Sequence, residues 1–367
     1  MSPRIGIIIE GASRPWTSGA TQAPYFLYDV LTLAGFKCVF IALKDGRRIQ
    51  PRKYNYITLS KALASKGLSF SFLLTNALIG YPDLTELVGR NPECKCVYVN
   101  LENKAVEDIS AALGCALASF DGGAPPFYFL FDEIWLFPHH LYQKQYIQTI
   151  FNNENIKTMP YIWDSHFIHD GLSEERKKQI FYLPSSPEKL DTVCIFEPNS
   201  SFGKNFLIPL SICERAVVTK KIPLQSVNVF NCKNLRKSPS FLRLVRKLTL
   251  DTDKKVYFNN RWNTLDAVAK WGGAVVSHQI LNDFNYLHLE CLYLGRPLIH
   301  NSPSLKECGY FYEGFNVDDG AEQLKIAIEC HLSNFNYYNG KSRHELGIYS
   351  PYNVKNIETY KKLILGV

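Results

Sequence analysis

Short apolar runs rich in Val, Ile, Phe and Tyr alternate with helical stretches along the whole chain. Parallel strands need this pattern, because each must be reached by a crossover that packs on a face of the sheet; sandwiches and helical bundles do not produce it. In the first half the strands read RIGIIIE, KCVFIAL, YNYITL, FSFLLT, KCVYVN and DEIWLF. From Ala23 to Leu33 the residues Tyr25, Phe26, Leu27, Val30, Leu31 and Leu33 fall largely on one face before Gly35, which marks the first crossover helix. A helical stretch from Tyr142 to Asn153 leads into MPYIWDSHFIHDG, where Pro160 and the loss of periodicity mark a hinge, and the charged run Gly171 to Lys189 reads as an exposed connector. A second series follows, with TVCIFE, SVNVFN, KVYFN, AVVSH and RPLIHN as strands and helices near 204–217, 239–248, 263–270, 286–294 and 319–333, before a final helix from Val354 to Leu365. The expectation is an α/β protein of two doubly wound domains, 1–167 together with 350–367 and 168–349, without solenoid repeats.

Length and composition agree, since 367 residues with 46% apolar content exceed one core and supply two. The opening MSPRIGIIIEGASRPW is too short in apolar residues for a signal peptide or a membrane span, so it reads as a first strand and the expected setting is cytoplasmic. Ten cysteines lie in apolar contexts such as KCVFIA and LECLYL, as buried thiols of a reducing compartment do. Cys94 and Cys96 lack a second pair of ligands for zinc and read as one thiol inward and one outward on a strand. The net charge of +7 reads as spread along the chain, with clusters at Arg47, Arg48, Arg52, Lys53 and at Lys233, Arg236, Lys237. That balance favours anionic small ligands or membrane surfaces, and nucleic acid is not an expected partner.

The stretch Ser277 to Ser302, SHQILNDFNYLHLECLYLGRPLIHNS, carries the most chemistry. A buried strand enters a loop and then a helix whose unpaired N–H groups and positive dipole end can receive a diphosphate. Glu290 sits on that helix among Leu287, Leu289, Leu292 and Leu294. A carboxylate there can accept both hydroxyls of a ribose; by periodicity alone, a surface glutamate on an ordinary helix fits as well.

From Asn282 to Ile299 the sequence N-D-F-N-Y-L-H-L-E-C-L-Y-L-G-R-P-L-I resembles, without a gap, the Glu-x7-Glu motif of retaining, group 1-like GT-B glycosyltransferases, E-G-F-G-L-x-x-x-E-A-x-A-x-G-x-P-V-I. Glu290 takes the place of the second glutamate, Gly295 and Pro297 the G-x-P, and Phe284 the phenylalanine, whereas Asn282 replaces the first glutamate and Asn285 a glycine. The resemblance covers most of the chain and is nearest a branch found in bacteria and large DNA viruses. It implies two Rossmann-like domains facing across a cleft, with the terminal helix crossing back to the first domain.

It also implies roles for residues. In FEPNSSFGKNFLIPLSICE, Lys204 falls where an early helix lysine reaches the donor phosphates, with Asn199, Ser200 and Ser201 in the loop. Asn260, Arg261 and Trp262 fit the segment that lines the base, and His278, Asn282, Phe284, Asn285 and Tyr286 complete the donor set. In the first domain, Ser18, Gly19 and Gln22 of WTSGATQ occupy a loop used near diphosphate and acceptor, and His139 or His140 after DEIWLF is a candidate base or acceptor contact.

Asp251-Thr252-Asp253 sits in a charged run and reads as a solvated turn rather than a metal-binding D-x-D. P-loop, nucleophile-elbow and dinucleotide glycine motifs are absent. The expected function is transfer of a sugar from a nucleoside diphosphate donor, UDP rather than GDP, to a glycan hydroxyl, with retention and with neither metal nor cofactor. A GT-B-shaped nucleotide-sugar epimerase and a non-catalytic nucleotide-sugar binding module remain as alternatives.

Overall fold

Each apolar run pairs in parallel with its neighbours. The computed structural model describes residues 3–11, 19–44, 54–65, 67–76, 79–113, 128–169, 173–184, 190–233 and 235–366. The chain divides into one unit of Met1–Asp164 with Ile348–Val367 and another of Ser165–Gly347.

In the first unit, strands β1 (Arg4–Gly11), β2 (Lys37–Lys44), β3 (Tyr56–Thr58), β4 (Phe72–Thr75), β5 (Lys95–Asn100), β6 (Glu133–Leu136) and β7 (Ile156–Thr158) form one parallel sheet in the order β3-β2-β1-β4-β5-β6-β7. β4 and β6 are buried at every position, as strands covered on both faces must be. The chain winds outward from β1 to β3 and then returns to lay β4 beside β1, which is a topological switch point. The terminal helix Val354–Leu365 belongs to this unit: Tyr360 donates its hydroxyl to the Pro160 carbonyl at 2.7 Å and packs near Trp135.

The second unit repeats the plan with β8 (Thr192–Ile195), β9 (Ser226–Val229), β10 (Val256–Phe258), β11 (Ala274–Val276), β12 (Leu298–His300) and β13 (Tyr310–Phe311), in the order β10-β9-β8-β11-β12-β13. Its switch point lies between β8 and β11, two fully buried strands. Gly273 opens β11 at φ +81°, and a Cβ there would stand 2.0 Å from the Thr192 carbonyl oxygen. Only glycine lets the two strands approach this closely.

Several expectations are corrected here. The first helix runs Gly19–Leu33, so Gly19 and Gln22 are helical rather than loop residues and Gln22 is buried; packing of the Gln22 to Leu31 face carries the helix past Pro24. Ser18 lies outside the described residues, as do Arg47, Arg48, Arg52 and Lys53. The helix expected over 319–333 extends over Val317–Ile348, through poor helix formers such as Asn334, Asn336 and Gly340, because His331, Tyr338, Ser342 and Leu346 keep one face buried. Cys94 and Cys96 both point into the core, because residues two apart share one side of a strand. Asp251 and Thr252 end a short helix, Thr249–Thr252, whose first N–H groups at Thr249 and Leu250 bond the Glu214 carboxylate at 2.6 and 3.0 Å. The nine cysteines among the described residues are free thiols. Among those residues no helix is long and apolar enough to cross a membrane.

Candidate functional site

Open α/β sheets bind ligands beyond the carboxyl ends of their strands at the switch point. At that place in the second unit the chain concentrates polar residues directly after two apolar strands. Glu197, two residues beyond β8, is 1% exposed. Its Oε1 accepts from Ser277 Oγ at 2.5 Å and from the His278 N–H at 3.2 Å, and its Oε2 accepts from Gln279 Nε2 at 2.8 Å. Burial pushes its carboxyl up to about 7, against the lowering effect of these donors and of the Lys204 charge.

Proton positions follow from the partners. Ser277 gives its one hydroxyl proton to Glu197, so its oxygen accepts from His288 Nε2–H at 2.9 Å. His288 Nδ1 then carries the lone pair and accepts from Ser302 Oγ at 3.0 Å. Burial, with the neighbouring His300 and Lys204, holds His288 well below the usual imidazole value, in keeping with this neutral tautomer. The result is a directed chain, Ser302 to His288 to Ser277 to Glu197, across the loops after β8, β11 and β12. Next to it Tyr312 donates to the Ser277 carbonyl at 3.1 Å, so His278 Nδ1–H donates to the Tyr312 oxygen at 2.9 Å. That leaves His278 Nε2 as a buried acceptor without a partner, and burial lowers this ring to about 4.

Lys204 reaches this site through a tight loop. Asn199 takes a left-handed φ of +58°, its N–H bonds the Lys204 carbonyl at 3.1 Å, and Ser201 bridges to Lys204. The Ile280 N–H bonds the Gly203 carbonyl at 2.8 Å and so ties this loop to the one after β11. Lys204 acts electrostatically on both Glu197 and His288, and His288 is the third residue of the helix Tyr286–Tyr293. The Lys204 loop is thus tied to the loop that leads into that helix, and its charge is felt in the helix's first turn, where the dipole is also positive. Asn285 caps the helix by accepting from the Leu287 N–H at 3.1 Å. Gly295 ends it in a Schellman turn, with Arg296 N–H to the Cys291 carbonyl at 2.9 Å and Gly295 N–H to the Leu292 carbonyl at 3.2 Å. Glu290 is the one charged residue on this helix and is half-buried, whereas six of its neighbours are buried. In the loop ahead of it Leu281 holds φ +54°, a strained conformation for such a residue.

The structure thus brings Lys204, His278, Asn282, Phe284, Asn285, Tyr286 and Glu290 into the loops and helix at one switch point, with Asn282, Phe284 and Tyr286 buried. Ser200 and Ser201 are half-buried in the Lys204 loop. Asn199 is engaged by the loop itself, donating to the carbonyls of Glu197 at 2.9 Å and Phe230 at 3.0 Å and accepting from the Phe206 N–H at 2.8 Å. It shapes the loop instead of facing a ligand. Asn260, Arg261 and Trp262 are exposed after β10, two strands from β8, and Trp262 packs edge-on to Trp271 under the Lys270 ammonium. In the first unit His139 and His140 lie in the turn Pro138–Gln143 after β6, two strands from β4. His140 is buried and His139 half-buried against Phe137 and Tyr161, so neither is a surface residue. Glu197, Ser277, Gln279, His288 and Ser302 are the residues that sequence reasoning missed. Polar residues immediately after the two central apolar strands were their available signal. Among the described residues no group of three or more His, Cys, Asp or Glu is placed to hold a metal ion.

Two doubly wound parallel domains in series, with a polar site at the carboxyl end of the second sheet, define the GT-B fold. Residues 124–364 match the family described as "Protein of unknown function (DUF2827)", and the chain belongs to it. Solved structures agree on the fold over the full length. An α-glucosyltransferase in complex with UDP and a 13-mer DNA containing a HMU base is 11% identical with a TM-score of 0.63, all of both chains being covered. An S. aureus TarM mutant in complex with Fondaparinux, α-GlcNAc-glycerol and UDP is 10% identical with a TM-score of 0.60 over 99% of each chain. The pneumococcal O-GlcNAc transferase GtfA in complex with UDP and GlcNAc is 9% identical with a TM-score of 0.57, covering 100% of this chain and 99% of that one. No curated protein matches in sequence.

Proposed function

We propose that this protein is a glycosyltransferase that moves a sugar from a UDP-sugar to a glycan hydroxyl, with retention of configuration and without a metal. The observation that carries the reading is the Lys204 loop, tied by the Ile280 N–H to Gly203 carbonyl bond to the chain that leads into the Tyr286–Tyr293 helix at the switch point, with the lysine charge acting on His288 in the first turn. A lysine and a helix amino end together compensate a leaving diphosphate, which is the largest electrostatic demand of such a transfer in a site without metal. Glu290, one turn further along the helix, holds the ribose hydroxyls, and Asn260, Arg261 and Trp262 serve the base. Asn282, in place of the family glutamate, faces the donor sugar through an amide, and His139, His140, Gly19 and Gln22 serve the acceptor. Several solved proteins of this fold carry UDP, which favours that nucleotide over GDP.

Calorimetric titration with UDP and GDP in EDTA, on the wild type and Glu290→Ala, tests the reading. Micromolar binding of UDP that weakens at least tenfold in the variant is expected. Absence of binding to either nucleotide overturns it and leaves a binding module of another kind. Product analysis by NMR then reports the anomeric configuration.

A further inference from the structure

The proposed transfer leaves one buried acid of the site without a task. Glu197 receives its bonds from the neutral donors Ser277, His278 N–H and Gln279, and its own carbonyl accepts from Asn199 Nδ2 at 2.9 Å and Asn231 Nδ2 at 3.1 Å. The titratable groups around it are His278 and His288, both neutral, Tyr312, and Lys204, whose charge is the one that favours the carboxylate. Cys213 stands behind Tyr312, and His300 behind His288; both are buried. Among the described residues Lys204 is thus the one cation that adds to the Ser277, His278 and Gln279 hydrogen bonds in favouring the ionised form of Glu197.

A diphosphate bound against Lys204 removes that support. Its negative charges answer the ammonium and face a carboxylate in a buried, poorly screened setting, where like charges disfavour ionisation. Gln279 is built for the alternative state. Its Nε2 serves Glu197 now, while its Oε1 is buried and without a partner. Turning the amide over puts Oε1 where Nε2 stands, ready to accept a proton carried on Glu197 Oε2.

We propose that binding of a nucleoside diphosphate against Lys204 draws one proton from solvent onto Glu197, with Gln279 turning over to accept it. This rests on the donor-site reading above. The balance is simple: the carboxylate gains a proton from a buffer acid, the ligand is unchanged, and release of the nucleotide returns the proton. The donor-bound site then holds a neutral carboxyl beside the diphosphate, and Lys204 is left to the phosphates alone.

The test is UDP titration by calorimetry at pH 8.0 in Hepes and in Tris, whose ionisation heats differ and neither of which brings a phosphate to the site, so that the difference counts protons. With a midpoint of about 7, Glu197 is about nine-tenths ionised at pH 8, so uptake of about 0.9 proton per UDP is expected. The terminal phosphate of UDP loses its last proton near pH 6 and adds almost nothing at pH 8. Glu197→Gln, an isostere that can meet the turned Gln279 amide, binds UDP with no uptake. Wild-type affinity alone carries the same information, weakening nearly tenfold from pH 8 to pH 9. UDP binding without proton uptake, or uptake that persists in Glu197→Gln, overturns this inference and leaves the donor site standing; no UDP binding at all overturns both.

Discussion

Two glutamates, each 1% exposed and each bonded by three donors, sit at opposite ends of two similar sheets. Glu133 begins β6 in the first unit, where Lys95 Nζ at 3.0 Å, Lys157 Nζ at 2.9 Å and Trp135 Nε1 at 3.0 Å reach its carboxylate. Burial acts to raise it, but Lys157, Trp135 and Lys95 carry it below the usual glutamate range. Glu197 follows the carboxyl end of β8, meets only neutral donors directly, and stays near 7. Both carboxylates are shut away from water, yet one is a fixed charge and the other a poised proton acceptor. Burial weighs more heavily on Glu197, and cations that touch Glu133 act on Glu197 only from a distance. An acid held there on purpose costs stability and is found at functional sites more than in structural ones.

The comparison can be broken by mutation. Replacing Lys95 and Lys157 together with alanine leaves Glu133 buried without a counter-charge, and urea unfolding at pH 8 should show a loss of about 3 kcal/mol, the low end for a broken buried pair because both lysines keep part of their surface in water. A loss under about 1 kcal/mol would mean that Glu133 is not held as an anion. Glu197→Gln should move the other way. Its folded-state carboxyl, raised from 4.5 to about 7, binds its proton more tightly than the unfolded chain does, so stability is full below about pH 4.5 and falls as pH rises to about 7, by roughly 3 kcal/mol. The variant removes that loss and should be more stable than wild type by about 2 kcal/mol at pH 8, after allowing for a weaker hydrogen bond, and no more stable at pH 4.5. Equal or lower stability of the variant at pH 8 would place Glu197 in the structural class with Glu133. Lys204→Ala, at a half-buried loop position, should change stability by less than about 1 kcal/mol, while turnover with a UDP-sugar drops about a hundredfold.

Much of the fold could be read in the sequence because local pattern and global pairing coincide. β1 to β6 and β8 to β12 were legible as apolar runs, whereas β7 and β13 were not, since edge strands of three and two residues offer too little pattern. The far half of the Val317–Ile348 helix was hidden because its propensity is poor and burial supplies what the residues do not. At the candidate site, Lys204, His278, Glu290 and the helix start could be named from one stretch of chain. The Glu197 to Ser302 chain could not: Glu197 meets Ser277 from 80 residues away, and the tautomer of His288 follows only once both of its serines are in place.

Gly273 has a consequence for the lineage of the protein. Because a single methyl group there would stand 2.0 Å from the Thr192 oxygen, the seam that places Glu197 opposite Ser277 leaves no room for any other amino acid at this position. Descendants can redraw the loops, and with them the ligand, but they inherit the width of this seam. In a directed-evolution library the codon for Gly273 should be the last to vary.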